Sequence, residues 1–485
     1  MFHLLTSLGY LTGLVCVGMW RARSAHSHDD FLVAGRRLPT VVLVGTLLAT
    51  WIGAGSILAG AGLAYRYGFA ALWLSAGAWV AIGLLFLIAA RARAMAHYTV
   101  PELLETRYGP AARVLGAVVT VVAYTAVVSY QYRGGGLVLN LVTGLDPETG
   151  VILTAAFVIA YTAIAGLVSV AYTDVVNGAV LLGGVAAALV WLVGDGGGIG
   201  TVLAELPAEK TSVLGTLSVP GVLGLALPPL VLLLGEGTLY QRFFSARDER
   251  TARRAVAGWI LGTIAAETLI VALAVVGSTR IPGLDEAGAP GAETIVLRIV
   301  TDLLPRGLGA LLLAAVVAII VSTGSFLLVP ATNLVRDVYG RFLAPGLAPE
   351  RAVRLLRLTV VLLGVAAWAQ LRYFESVLQM ALYAYTMYGA GVTPAVLAAF
   401  FWKRATPAGG VASLAVGMAM TLLWEVLKRA DRVPAALAAW DTVFFALAGS
   451  IAALVVVSLA TPPPDPARWR PFFESTRPFP SRQET

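Results

Sequence analysis

Residues 40–63 read TVVLVGTLLATWIGAGSILAGAGL, an apolar stretch whose middle carries Gly53, Gly55 and Ser56. A membrane helix needs about 20 apolar residues to cross the hydrocarbon core of a bilayer. Glycine in such a helix either permits close packing against a neighbouring helix or marks a place where the helix unwinds and its carbonyls face a cavity. These residues alone leave both interpretations open.

A second stretch of the same kind lies five apolar spans further along the chain. It contains Pro228-Pro229 and then the sequence GEGT at residues 235–238. A proline pair followed by Gly-acid-Gly is a strong signal for a helix break. Transporters built from two inverted five-helix repeats require corresponding breaks in the two halves, and such breaks indicate the substrate site. The spacing therefore favours unwinding at both places.

The composition agrees with a polytopic membrane protein. The 485 residues are 58% hydrophobic and only 13% charged, whereas soluble domains carry about 25% charged residues. The sequence therefore excludes a cytosolic enzyme, a nucleic-acid binder or a secreted disulfide scaffold, and its one cysteine, Cys16, cannot pair within the chain. The sequence predicts thirteen apolar spans, at residues 4–20, 40–63, 69–90, 112–143, 150–170, 173–194, 218–240, 255–278, 307–333, 352–371, 376–401, 408–427 and 436–460.

No catalytic constellation is expected. The four histidines, at positions 3, 26, 28 and 97, lie near the N-terminus or in a polar loop. A membrane enzyme would need a nucleophile with its base, or a set of metal ligands. A channel would need a continuous polar pore, whereas the polar residues of this chain cluster at the breaks. We therefore expect a transporter and not an enzyme.

The basic residues fall on alternate loops. Of the 34 lysine and arginine residues, 24 lie on one set of loops and nine on the other, with Arg133 inside a span. Because basic loops stay in the cytoplasm, we predict the N-terminus outside and the C-terminus inside an inner or plasma membrane. The net charge of +7 then reflects topology and contact with anionic lipid rather than nucleic acid. No obligate protein partner is evident.

Two further groups of polar residues need an explanation at membrane depth. The ninth span contains Ser322, Thr323 and Ser325. One hydroxyl alone can bond back to its own helix, but three within four residues favour an oxygen-lined site for a hard cation. Asp174 near the start of the sixth span either caps a helix or is buried, in which case it needs a cation or hydrogen-bond donors.

Taken in order, these features resemble the sodium:solute symporter family, from about residue 30 to 460. The motifs that carry the resemblance are ATWIGAG at 49–55, TVPE at 99–102 with RYG at 107–109, YTDV at 172–175, QRF at 241–243, Ser322-Thr323 followed by RDVY at 336–339, and Pro394 before FWKR at 401–404 and Gly409. Each fragment alone is weak, whereas their order and spacing are specific.

The resemblance implies an all-α polytopic protein of about thirteen transmembrane helices with a five-plus-five inverted-repeat (LeuT-type) core. It implies an extra N-terminal helix and cytoplasmic loop at 1–39 and a first repeat at 40–194. An extracellular loop at 195–217 then leads to a second repeat at 218–402. Two further helices at 403–460 and a cytoplasmic tail at 461–485 complete the chain.

The resemblance also implies a sodium site between the first and eighth core helices. Its ligands would be the carbonyls of Ala49, Ile52 and Ile319 with the hydroxyls of Ser322 and Thr323. Sodium would be the coupling ion.

Some family members hold a second sodium ion on an aspartate of the fifth core helix and serines of the eighth. Asp174, Ser322 and Ser325 match that pattern, whereas Phe326 stands where the two-sodium members have another serine.

The solute cavity is expected between spans two, three, seven and eleven. Its candidate residues are Trp51, Ser56, Glu236, Thr238, Tyr383, Tyr385 and Tyr388. The pair Glu236-Gly237 stands where proline symporters have an amide followed by proline, which argues against proline as the solute. A buried Glu236 would bind a substrate amine, or would be protonated and donate a hydrogen bond. Arg133 and Glu267 are further ionisable residues within spans and have no assigned role.

The function predicted from these features is sodium-coupled secondary active symport. The protein would import a small organic solute, such as an amino acid, a carboxylate or a sugar, by alternating access. The alternative is a proton-coupled symporter in which Asp174 or Glu236 carries the proton.

Overall fold

The computed structural model describes residues 5–6, 9–10, 12–13, 36–95, 99–164, 167–286, 291–322, 324–434, 437 and 440–473. Within these ranges the chain is helical, and the only β-type pairing is an isolated bridge between Leu38 and Ala246. Most of the first predicted span, residues 4–20, lies outside the described residues.

Apolar helices account for twelve of the thirteen predicted spans. Nine helices in the described ranges are long and apolar enough to cross a membrane, and three shorter apolar helices accompany them. The main helices are α1 Thr40–Trp51, α2 Ala61–Tyr67, α3 Leu72–Ala94, α4 Val100–Tyr108, α5 Pro110–Thr143, α6 Pro147–Ile164, α7 Leu167–Asp195, α8 Ile199–Glu205, α9 Ala208–Thr211, α10 Val219–Gly235, α11 Gly237–Ser245, α12 Glu249–Arg280, α13 Ile295–Arg298, α14 Arg306–Ser322, α15 Ser325–Thr332, α16 Pro349–Gln370, α17 Val377–Phe401, α18 Pro407–Arg429, α19 Thr442–Ala460 and α20 Pro466–Phe473.

Both predicted helix breaks are confirmed. The first break follows α1, where Ile52 is extended (φ −77°, ψ 106°) and a π-helical turn, Gly55–Gly60, leads into α2. The second lies between α10 and α11, where Glu236 is extended (φ −65°, ψ 122°). We refer to them below as the first and second breaks. Helices α14 and α15 lie on either side of residue 323, which is outside the described residues.

One predicted boundary is wrong. The fifth and sixth spans were expected at 150–170 and 173–194, but α6 ends at Ile164 and α7 begins at Leu167. Asp174 therefore lies inside α7 and does not cap its first turn. Hydropathy could not locate this boundary, because the residues on both sides of it are apolar.

The alternate loops gather at opposite ends of the molecule, as the charge pattern requires. At one end, Arg93 Nε donates to the Ala246 carbonyl (2.6 Å) and Arg107 Nη2 donates to the Trp402 carbonyl (3.2 Å). At the other end, Arg66 pairs with Asp285 (2.9 Å). Which end faces the cytoplasm stays a prediction.

Helix α4 is held at the basic end by a capping residue and an ion-pair network. Thr99 is the N-cap of α4, since its side chain accepts a hydrogen bond from the Glu102 backbone N–H (3.2 Å). Arg113, at the start of α5, donates to Glu105 and to the fully buried Asp337. Burial of Glu105 opposes its ionisation, but hydrogen bonds from Arg113 and Arg341 outweigh burial, so the pKa of Glu105 is lowered.

Replacing Arg113 by alanine is expected to lower the free energy of unfolding by about 3–5 kcal/mol, because the buried Asp337 loses its direct ion pair. The double variant R113A/D337N should recover part of this loss, since it removes the orphaned charge. Arg351→Ala, an exposed arginine, serves as the control, with an expected change within about 0.5 kcal/mol. Thermal unfolding in detergent measures all three, and equal losses in R113A and R113A/D337N would contradict the network.

Candidate functional site

A side chain from α5 fills the first break. The Ala54 N–H, which in a continuous helix would donate to the Thr50 carbonyl, donates instead to Gln131 Oε1 (3.0 Å). The Ser56 N–H turns to the Gly53 carbonyl (3.1 Å). Across residues 40–67, all of them described, no backbone N–H donates to the Thr50 or Ile52 carbonyl. Neither carbonyl is therefore held by the regular helical hydrogen-bond ladder.

The residues of the predicted sodium site are described only in part. Ala49 and Ile52 are buried, with exposed fractions of 3% and 1%. The side chains of Ile319, Ser322 and Ser325, and the whole of Thr323, lie outside the described residues.

The second break is stabilised in the same way by a tyrosine of α5. The Thr238 N–H donates to the Tyr124 hydroxyl (3.2 Å), and the Thr238 hydroxyl donates to Glu236 Oε1 (2.8 Å). A Cβ at Gly237 would lie 3.3 Å from the Tyr388 hydroxyl and 3.4 Å from that of Tyr124. Glycine at 237 thus lets both rings approach the unwound backbone, and Glu236 lies buried beside them, 2% exposed.

Helices α5 and α17 each supply one tyrosine to each break. Tyr124 stacks on Tyr388 with ring centroids 5.3 Å apart at the second break. Near the first break, the hydroxyls of Tyr130 and Tyr385 lie 3.5 Å apart, and the Tyr385 ring centroid is 5.9 Å from that of Trp51. One tyrosine pair therefore lies beside each break.

Tyr383 does not lie beside either break. Its ring packs against Phe374, with centroids 5.0 Å apart, on another face of α17 from Tyr385 and Tyr388. Of the seven predicted solute residues, the structure therefore places six around the two breaks: Trp51, Ser56, Glu236, Thr238, Tyr385 and Tyr388.

Glu267 of α12 connects the first break to α3. Its carboxylate accepts hydrogen bonds from the indole N–H groups of Trp51 (2.7 Å) and Trp79 (2.8 Å). It also accepts a longer hydrogen bond from the Ser56 hydroxyl (3.5 Å). The carboxylate therefore has a structural role that the sequence had not assigned. Trp51, Ser56, Glu267 and Tyr385 line a cavity of about 20 Å³, which is room for about one water molecule.

A larger vestibule lies directly beyond that small cavity. Its volume is about 580 Å³, and Ala59 and Leu378 line both spaces. Arg133, the other unassigned ionisable residue, lies at the vestibule wall and donates to the Phe374 carbonyl (2.6 Å). Arg133 therefore ties α5 to the segment before α17.

Asp174 is buried and has partners from two other helices. Its Oδ2 accepts a hydrogen bond from the Thr46 hydroxyl (2.8 Å) and lies 3.8 Å from Arg242 Nη2. Arg242 also donates to Thr46 and to the Thr238 carbonyl (both 3.1 Å). Asp174 therefore links α7 to α1 and to the helix that follows the second break.

Sequence reasoning missed several residues that hold the site together: Thr46, Trp79, Tyr124, Gln131 and Arg242. Gln131 and Tyr124 lie within the apolar span 112–143. Polar residues in a membrane span were the available signal, but nothing local shows which backbone they meet.

Two interrupted apolar helices, five spans apart and lined by tyrosines of two common helices, define a secondary transporter of the inverted-repeat class. The chain belongs to the sodium:solute symporter family, whose model matches residues 31–417. It is 26% identical over 467 residues to the high-affinity proline transporter of Bacillus subtilis, covering 89% of this chain and 95% of that protein. It is 25% identical over 446 residues to the sodium/proline symporter of Escherichia coli, covering 87% of each chain.

Solved structures agree on the fold. The substrate-bound, outward-open state of a Na⁺-coupled sialic acid symporter superposes with a TM-score of 0.80 at 18% identity, over 96% of this chain and 98% of that one. The transporter Mhp1, of the nucleobase-cation-symport-1 family, gives a TM-score of 0.60 at 15% identity, over 93% and 99%. The LeuT-type fold is confirmed, while the count of thirteen helices stays a prediction.

Family membership confirms several of the sequence predictions. The protein is a multi-pass membrane transporter that couples solute movement to sodium, and it is not an enzyme. The proton-coupled alternative gains no support from these comparisons.

Glu267→Ala is expected to destabilise the protein by about 1–3 kcal/mol for each indole N–H left without an acceptor. Glu267→Gln should be milder, because its amide oxygen can still accept one of these bonds. Thermal unfolding in detergent measures both, with Glu148→Ala, an exposed carboxylate, as the control. Equal stability of Glu267→Ala and the unmodified protein would show that the two indole bonds are unimportant.

Proposed function

We propose that the protein imports a small organic solute carrying a protonated amine, by sodium-driven alternating access. The observation that carries this proposal is the buried Glu236 at the second break, next to Gly237, which the hydroxyls of Tyr124 and Tyr388 both approach. A carboxylate in low dielectric attracts a cationic group strongly, and aromatic faces add cation–π attraction. The relatives named as proline transporters support a solute of amino-acid size.

The rest of the solute would be held by the residues between the two breaks. Trp51, Ser56 and Tyr385 border the cavity at the first break, and Thr238 already binds the Glu236 carboxylate. The chain has Glu236-Gly237 where the resemblance leads one to expect an amide and proline in a proline symporter. We therefore propose an amine or amino acid other than proline.

Sodium would bind at the first break. The main-chain carbonyls of Ala49, Ile52 and Ile319 and the hydroxyls of Ser322 and Thr323 form the proposed ligand set. Oxygen ligands suit a hard cation. An ion shared by α1 and α14 would hold these helices together and favour the state that binds solute.

We favour one sodium ion per transport cycle. Asp174 and Ser325 are the candidates for a second site, but the Arg242 guanidinium already supplies positive charge beside Asp174. One ion moving down about 100 mV gains about 2.3 kcal/mol, and a tenfold sodium gradient adds about 1.4 kcal/mol. Together these support roughly 500-fold accumulation of a solute without net charge. The proposed orientation has the N-terminus outside, the C-terminus in the cytoplasm and the repeats at 40–194 and 218–402.

Ser322→Ala or Thr323→Ala is expected to abolish sodium-stimulated uptake without changing membrane expression, because each removes a proposed ligand. Uptake into proteoliposomes is measured with sodium and with choline in its place. Ser413→Ala controls for the loss of a hydroxyl. Ser413 is a buried serine of α18 whose hydroxyl is hydrogen-bonded to that of Ser450 in α19. Unchanged sodium dependence in both site variants would refute the sodium site.

The solute class can be tested by thermal shift. Amines and amino acids are added to purified protein with and without sodium, beside neutral analogues of equal size. Ligands of the folded state stabilise it by mass action. We expect amines to stabilise the protein in the presence of sodium, and we expect Glu236→Gln but not the control Glu425→Gln to remove the effect. Stabilisation by neutral analogues alone would contradict the amine proposal.

A further inference from the structure

We propose that Gln131 is a positioning residue for the sodium site, since its side chain keeps the first break open. The inference rests on the proposed function, because it assumes that the carbonyls of that break bind sodium. Gln131 itself contacts the backbone of residues 53 and 54, and would act on the ion only through the conformation of α1.

The hydrogen bond from Ala54 decides whether α1 continues or breaks. In a continuous helix this N–H would occupy the Thr50 carbonyl. Gln131 Oε1 accepts it at 3.0 Å instead. Gln131 is 2% exposed and Ala54 is fully buried, so bulk water does not compete. A buried N–H without a partner costs about 1–3 kcal/mol, so loss of this acceptor drives Ala54 back toward Thr50.

Gly53 and Gln131 fit each other closely. A Cβ at Gly53 would lie only 2.5 Å from Gln131 Nε2. Any side chain at position 53 would therefore push the amide group away from Ala54. Two adjacent residues of the break thus depend on one side chain of α5.

Helix α5 is itself fixed close to the break. A Cβ at Gly134 would lie 2.9 Å from the Ala54 side chain and 3.0 Å from that of Leu58. Tyr130, the neighbour of Gln131, lies against Gly55 on the same stretch. Helix α5 is one continuous helix of 34 residues. Its position therefore determines where Gln131 Oε1 lies, and with it the residue at which α1 ends.

The position of this acceptor has a specific consequence for the ion. When Ala54 is held by Gln131, α1 ends at Trp51, and within residues 40–67 no backbone N–H from outside α1 donates to the Ala49 or Ile52 carbonyl, the two proposed sodium ligands of this break. When it is not, the helix gains a turn and these carbonyls turn along its axis. Gln131 therefore raises sodium affinity without contributing a ligand, and solute affinity at saturating sodium should not depend on it.

The first experiment compares Gln131→Met, which keeps the side-chain volume but removes the acceptor, with Gln131→Glu, which keeps an acceptor. Stabilisation of the purified protein by NaCl against thermal unfolding, with choline chloride in the reference samples, gives the sodium concentration for half-maximal effect. We expect this sodium concentration to rise about tenfold in Gln131→Met, because a buried N–H that loses its acceptor costs about 1–3 kcal/mol. In Gln131→Glu it should rise less than about threefold. Gln370→Met, a glutamine in the last turn of α16, is the matched control and should show no change.

The second experiment tests the fit with Gly53. Gly53→Ala in the unmodified chain should raise the sodium requirement about as much as Gln131→Met, because the new methyl displaces the amide. In the double variant G53A/Q131A the methyl has space, so the two effects should not add. This comparison keeps the inference testable even if Gln131→Met fails to reach the membrane.

The outcomes separate this inference from the function on which it rests. Unchanged sodium dependence in Gln131→Met, or an equal loss of solute affinity at saturating sodium, overturns the positioning role of Gln131. If Ser322→Ala still abolishes sodium stimulation, the sodium site survives that failure. If Ser322→Ala also leaves sodium dependence unchanged, the proposed site itself fails. Additive losses in G53A/Q131A would likewise overturn the inference.

Discussion

Backbone amides inside a bilayer must find partners within the protein, since no water is available to them. Both helix breaks of this transporter depend on that constraint, and both meet it with side chains of one helix. Gln131 accepts the Ala54 N–H at the first break, and Tyr124 accepts the Thr238 N–H at the second. Helix α5 is therefore the element on which the two unwound segments depend.

The other helices around the breaks extend this arrangement with polar contacts that each join distant parts of the chain. Glu267 accepts hydrogen bonds from the indole N–H groups of Trp51 and Trp79. Arg242, just after the second break, donates to Thr46 and forms an ion pair with Asp174. These contacts lie among apolar helices, where a buried polar group that loses its hydrogen-bond partner destabilises the protein. The two breaks are therefore connected to each other through the helices that contact both of them.

The sequence was informative wherever the signal was local. The glycines and prolines at 53–55, 228–229 and 235–237 predicted both breaks. It was uninformative where a residue acts across the fold. Gln131 meets an amide 77 positions away, and Tyr383 differs from Tyr385 only in the face of α17 on which it lies. The limits of α6 and α7 were missed because apolar residues continue on both sides.

The change in width between the vestibule and the inner cavity bears on how solutes are selected. The vestibule has a volume of about 580 Å³, and the inner cavity, which shares Ala59 and Leu378 with it, has a volume of about 20 Å³. The inner cavity is therefore too small to hold an organic solute in this structure. A solute of amino-acid size would bind there only if the surrounding helices moved apart, which separates packed side chains. The proposed site would therefore discriminate against bulky solutes before the proposed contact with Glu236 forms.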